Sequence, residues 1–144
     1  MADYLFVYGT LRKNYDLKLK DRVKDQLRYV GQAKVGAAMY DLGRYPGAVR
    51  SNKGPEVIGD VFLLTDADKV LRILDKYEGI PEEGGKGNAK QSAGSEFVRK
   101  KGKVRLRSGQ EVNAWIYWYN LDPTDKIKIR YKNYLNYLKN KSIS

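Results

Sequence analysis

Of all the side chains in this sequence, Glu78 has the type and spacing best suited to chemistry. The segment Thr65–Glu78 reads as a helix. Thr65 fits an N-cap, and Asp66 and Asp68 fall in the first turn, where the helix dipole favours negative charge. Gly79 supplies a C-terminal stop and Pro81 follows it. With successive residues about 100° apart, Ala67, Val70, Leu71 and Leu74 form an apolar stripe. Asp68, Lys69, Arg72, Asp75 and Lys76 are expected on the opposite side. Glu78, at i+4 from Leu74 and i+7 from Leu71, falls inside the stripe, where a leucine would be expected. Burying a carboxylate without partners is unfavourable, and so is placing it at the negative pole of a helix. Both effects push its pKa upward, toward the range a general acid or base needs. Two other fates are open to it: a frayed helix end that releases the side chain to solvent, or an ion pair with Arg12 or Arg99.

Composition narrows the other choices. The chain has 144 residues, with no Cys and no His. Disulfides, thiol catalysis and thiolate metal sites are therefore excluded, as are imidazole catalysis and most zinc sites. Carboxylates, hydroxyls, lysines and the backbone remain. Hydrophobic residues make up 42% and charged residues 31%, an ordinary globular balance, and the length fits a single domain over 1–144. No apolar run is long enough to span a bilayer and Met1-Ala2-Asp3 does not open a signal peptide, which points to the cytoplasm and to no membrane partner. The net charge of +11 is spread along the chain. A basic surface of this kind is compatible with nucleic acid, with small anionic substrates, or simply with solvent.

A second stretch ends on a possible site. Tyr4–Tyr8 is a run of β-formers that reads as a buried strand, stopped by Gly9 and followed by Thr10, Leu11 and Arg12. A glycine there lets another group approach the backbone, and the N–H groups of such a turn can hold an anion or oxyanion. The bland alternative is a strand that ends in a turn.

The remaining elements frame these two. Asn14–Leu27 carries Leu19, Val23 and Leu27 at helical spacing. Tyr29–Leu42 reads as a strand bent at Gly31 or Gly36, Gly43–Gly47 as a loop, Ser51–Pro55 as a turn and Glu56–Leu64 as a strand. Residues 82–95, rich in Gly and small polar residues, read as a flexible loop. Glu96–Arg107 reads as a strand with Arg99, Lys101, Lys103, Arg105 and Arg107 on one parity, Ser108-Gly109-Gln110 as a hairpin turn and Glu111–Tyr119 as a strand apolar on both faces. Asp122-Pro123-Thr124 is expected to open a last helix over 125–141, with Ile127, Tyr131, Tyr134, Leu135 and Leu138 on one face. The order predicts an α+β fold, a small, mostly antiparallel β-barrel with flanking helices.

Tyr8-Gly9-Thr10-Leu11-Arg12 and Leu74-Asp75-Lys76-Tyr77-Glu78-Gly79 resemble the paired motifs of the gamma-glutamylcyclotransferase-like proteins. The likeness extends to Tyr40–Gly47, Phe97-Val98-Arg99 and Ala114-Trp115-Ile116-Tyr117, in order over roughly residues 4–119. The resemblance implies a small barrel with flanking helices. It also implies an enzyme that cyclises a γ-glutamyl amide to 5-oxoproline and releases the amine, with neither metal nor cofactor. It makes Glu78 the acid/base and Tyr8, Gly9, Thr10 and Leu11 the loop that holds the glutamyl group. Arg99, Tyr45 and Tyr119 are further candidates to line the pocket, although aromatic residues on strands more often belong to a core. The competing reading is a catalytically silent binding module of the same fold, its basic surface turned to nucleic acid or another anionic partner. The sequence names neither the amine released nor the oligomeric state.

Overall fold

The fold follows from where the two-sided apolar strands send their faces. The computed structural model describes residues 3–8, 23–43, 45–77, 96–130 and 132–143. Gly9, Thr10, Leu11, Arg12, Glu78, the loop 82–95 and most of the helix expected over 14–27 lie outside the described residues. Strand β1 spans Asp3–Val7, β2 Leu27–Asp41, β3 Pro46–Arg50, β4 Glu56–Leu64, β5 Phe97–Leu106, β6 Glu111–Tyr119 and β7 Ile127–Ile129. Helix α1 spans Ala67–Tyr77 and α2 Tyr134–Ile143. Five strands close a mixed barrel in the order β2-β4-β1-β6-β5, with β5 pairing back onto β2. Only the β1–β6 pairing among these is parallel.

Side chains alternate between two cores. Phe6 and Tyr8, Ala33 and Val35, Val61, Val104, and Ala114, Ile116 and Trp118 fill the barrel. The other parity, Leu5 and Val7, Phe62 and Leu64, Phe97, and Tyr117 and Tyr119, packs outside the barrel against Val70, Leu71 and Leu74 of α1. The double-sided hydrophobicity of β6 thus separates two cores, as period-two alternation requires. The apolar stripe of α1 is as the spacing predicts. Its cap is one residue later than expected: Asp66 accepts the Lys69 N–H at 3.3 Å.

Three expectations are corrected. Pro46 and Gly47 belong to β3, which pairs with the far half of β2. A proline is tolerated there because it opens an edge strand. The helix expected over 125–141 begins only at Tyr134, and residues 127–129 instead form β7 on β2. Ile127 and Ile129 are two apart, and that spacing turns Ile129 into the barrel core beside Met39 while leaving Ile127 exposed. Asp75 does not face solvent with Asp68 and Arg72; it is half-buried against β5 and β6.

Candidate active site

One end of the barrel gathers the described parts of both motifs. β1 and β6 run parallel with Leu5 beside Trp115, so the end of β1 at Tyr8 lies near the end of β6. β5 starts at the same end, with Phe97 paired to Tyr119. Tyr8 turns its ring into the barrel, where its hydroxyl donates to the Tyr117 carbonyl at 2.6 Å and accepts the Ala48 N–H at 3.1 Å. Its side chain pins β1 to β6 and β3.

The close of α1 is fastened to the same end. Asp75 accepts two hydrogen bonds from Arg99 of β5, Nε at 2.8 Å and Nη2 at 3.1 Å, and a third from the Tyr117 hydroxyl at 2.6 Å. The Arg99 guanidinium lies 4.5 Å from the centroid of Trp115. Tyr117 therefore connects both motifs: its carbonyl receives Tyr8 and its hydroxyl reaches α1, three residues before position 78.

The other two candidates form an adjoining wall. The Tyr45 hydroxyl donates to Glu96 Oε1 at 2.5 Å, and its ring sits 5.8 Å from that of Phe97. Tyr119 packs edge-on to Phe97 at 6.0 Å and is buried. On its other side Tyr119 meets the main chain of β3 at Gly47, where a Cβ would lie 2.9 Å from the Tyr119 Cβ. The structure thus brings Tyr8, Tyr45, Arg99 and Tyr119 to one end of the barrel; Gly9, Thr10, Leu11 and Glu78 are outside the described residues.

Sequence reasoning missed Asp75, Glu96, Tyr117 and Asp60 at this end. Asp60 is the charged side chain that the fold buries among the described residues, at 4% exposure. It pairs with Val7 in register and receives the Tyr29 hydroxyl at 3.4 Å. Its signal was visible, a lone charge inside the apolar run of β4. Asp75 lies only about 40° from Leu71 on a helical wheel, at the edge of the buried stripe. Nothing local distinguishes Tyr117 from the other aromatics of β6. A separate surface groove of about 200 Å³, floored by Met39, Val57 and Ile129 and flanked by Lys128, Arg130 and Lys132, contains none of these residues.

Residues 5–136 match the family described as "Gamma-glutamyl cyclotransferase, AIG2-like". The chain is 31% identical over 122 residues to a Methanocaldococcus jannaschii protein named "Putative gamma-glutamylcyclotransferase", with 81% of this chain and 84% of that one covered. The chain therefore belongs to the gamma-glutamyl cyclotransferase, AIG2-like family. In three dimensions it resembles an AIG2-like protein of Mus musculus, with a TM-score of 0.69 and 19% identity over 92% of this chain and 88% of that one. It also resembles YkqA of Bacillus subtilis, with a TM-score of 0.70 and 19% identity. That match covers all of this chain (100%) and 44% of YkqA, so the chain spans less than half of that protein. Likeness at these identities concerns the fold.

Proposed function

We propose that this protein cleaves a γ-glutamyl amide by intramolecular cyclisation, releasing 5-oxoproline and an amine, with Glu78 as general acid/base. The observation that carries this reading is the double role of Tyr117, which ties the end of β1 and the end of α1 to one point. The described parts of two motifs about 65 residues apart in sequence, Tyr8 and Asp75, are thereby joined through one residue, which supports a site built from both.

The chemistry suits a chain without Cys or His, because the substrate supplies its own nucleophile. The α-ammonium group gives a proton to Glu78, and the free amine attacks the γ-carbonyl carbon. The tetrahedral intermediate collapses by breaking the amide C–N bond as Glu78 returns the proton to the leaving amine, and the ring nitrogen gives up its second hydrogen as a proton to the freed carboxylate, which passes it on to the released amine or to water. Attack within one molecule removes much of the entropic barrier, with effective molarities for such reactions reaching about 10⁵ M or more. The main chain of Tyr8, Gly9, Thr10 and Leu11 supplies N–H donors to the α-carboxylate or the developing oxyanion. Tyr45 and Tyr119 line the wall beside them. No metal or cofactor takes part in this scheme.

The binding-module reading rests on the cations of β5. Most of those side chains have partners within the chain: Arg99 and Lys101 lie against Trp115, Lys103 is 4.0 Å from Glu111 and Arg105 is 3.1 Å from Glu56. A track for phosphates would present them unpaired, and binding through it would weaken steeply with salt. The test of the proposal is a panel of γ-glutamyl amino acids, peptides and amines assayed for 5-oxoproline. Wild type should turn over at least one class. Glu78→Gln should stay folded and lose turnover; retained turnover in that variant would exclude Glu78 as the acid/base.

A further inference from the structure

We propose that the groove where β4 gives way to β7 along β2 is a docking site for an acidic segment of a partner protein. One apolar side chain of that segment fills the groove, and the carboxylates beside it meet Lys128, Arg130 and Lys132. The groove shares no residue with the candidate active site, so the inference is independent of the proposed reaction.

The groove follows from the length of β2. Its 15 residues outrun any one partner: β4 pairs with it as far as Gly36 opposite Glu56, and β7 takes over at Met39 opposite Ile129. Between the two, the Pro55 carbonyl accepts the Ala37 N–H at 3.1 Å. Beyond Ile129 the chain leaves β2 and crosses to β4, where the Lys132 carbonyl accepts the Ile58 N–H at 2.7 Å and Asn133 bridges to Ile58. The seam between β5 and β3, also along β2, is crossed by Arg50, which donates to the Lys101 carbonyl at 2.9 Å and lies 5.0 Å from the centroid of Trp118. The seam between β4 and β7 keeps a groove of about 200 Å³, with Ala37, Met39, Val57 and Ile129 of the barrel core at its floor.

The rim of this groove is basic in a way that β5 is not. Ile129 turns into the core, and period-two alternation sends Lys128 and Arg130 the other way, to the surface. Lys132 is exposed as well. None of the three is ion-paired to a described carboxylate. Glu56, the one acid among the lining residues, is engaged with Arg105 at 3.1 Å. The recess is smaller than the range of about 300–1,000 Å³ typical of sites that enclose a whole small molecule, and it suits a single anchoring side chain. None of the lining residues is aromatic, so nucleobases have nothing to stack on. A second copy of this chain, at net charge +11, would bring further positive charge to the rim. An acidic peptide answers both features, with carboxylates for the rim and an aliphatic side chain for the recess.

The test is an NMR titration of the full chain with acetyl-Glu-Glu-Leu-Glu-Glu-amide at up to about 1 mM. Signals of Ala37, Met39, Val57 and Ile129 should shift and saturate while those of Tyr45 and Tyr119 stay in place. Replacing the peptide's leucine by alanine should weaken binding by about tenfold, and raising salt from about 0.05 to about 0.5 M should do so by a similar factor. Lys128→Glu, Arg130→Glu and Lys132→Glu change exposed side chains and should leave the thermal melt unchanged. Each should weaken binding by about 3–10-fold, and the triple variant should abolish it. Lys69→Glu on α1 makes the same change in net charge away from the groove and should bind like wild type. No saturable shift at the groove overturns the proposal, as does equal weakening by Lys69→Glu or equal binding of the alanine peptide. So does tighter binding at the same signals by a short oligothymidylate or by hexanoate, which would make the groove a nucleic-acid or small-anion site. Groove shifts that follow protein concentration alone would assign it to a second copy and overturn the proposal too.

Discussion

Replacing Tyr8 with Phe tests whether this residue serves the site through its ring or its main chain. The substitution keeps the ring and its volume, so no cavity opens in the barrel core. It removes one hydroxyl that does two jobs: donating to the Tyr117 carbonyl at 2.6 Å and accepting the Ala48 N–H at 3.1 Å. Tyr8 is buried, at 6% exposure, and water does not readily replace the lost partner. A buried polar group left unpaired costs about 1–3 kcal/mol. The Ala48 N–H has one bond to give and takes the full penalty, whereas the carbonyl has a second lone pair and loses less. The sum is about 2–4 kcal/mol. For a domain of this size that is a fall in Tm of very roughly 6–15 °C. Urea unfolding with a fixed m-value gives the loss directly. If Tyr8 meets the substrate through its main chain, the folded variant should keep KM within about threefold of wild type. A stability change below about 0.5 kcal/mol combined with a KM raised more than about tenfold would refute the reasoning and make the hydroxyl a ligand contact.

Two further substitutions probe the frame. A Cβ at Gly59 would lie 2.3 Å from the Val7 carbonyl oxygen and 2.6 Å from Phe6 Cζ. Gly59→Ala must therefore displace the end of β1; a loss of about 1–3 kcal/mol or more in urea melts is expected, together with loss of turnover, and a melt unchanged from wild type would contradict it. Asp122 caps the turn before β7, accepting both the main-chain N–H, at 2.9 Å, and the hydroxyl of Thr124. The Thr124 hydroxyl and then its N–H hold the Asp122 carboxyl below its ordinary value of 3.8. A lowered folded-state pKa means a contribution present above that ordinary value and lost as pH falls through the folded one. The Tm difference between wild type and Asp122→Ala should thus be present near neutral pH and shrink as pH falls below 3.8, and a gap that widens in acid would reverse the assignment.

The sequence carried much of the frame because its signals were local. The unbroken apolar run of β4, the two-faced β6 and the stripe of α1 each follow from spacing within one element. The edges were harder. Pro46 reads as loop punctuation, yet it opens β3 because an edge strand tolerates a missing N–H. Ile127 and Ile129 fit a strand at spacing two, but Ile127 and Tyr131 also fit a helix, and only the pairing with β2 decides between them. At the candidate site Glu78 and Gly9 stood out as members of motifs. The contacts that join the described parts of those motifs did not. Asp75 finds Arg99 24 positions away and Tyr117 42 positions away, and Tyr8 finds Tyr117 across 109 positions. No window of sequence contains such contacts; closure of the barrel creates them.

The central claim is that the substrate's own α-amino group is the nucleophile. The most direct measurement follows the products of a γ-glutamyl amide turned over by this protein, beside the same compound acetylated on its α-nitrogen, by NMR. The account predicts 5-oxoproline and free amine in equal amounts, no glutamate, and no reaction of the acetylated compound. Release of glutamate, or turnover of the acetylated compound at a comparable rate, would contradict it.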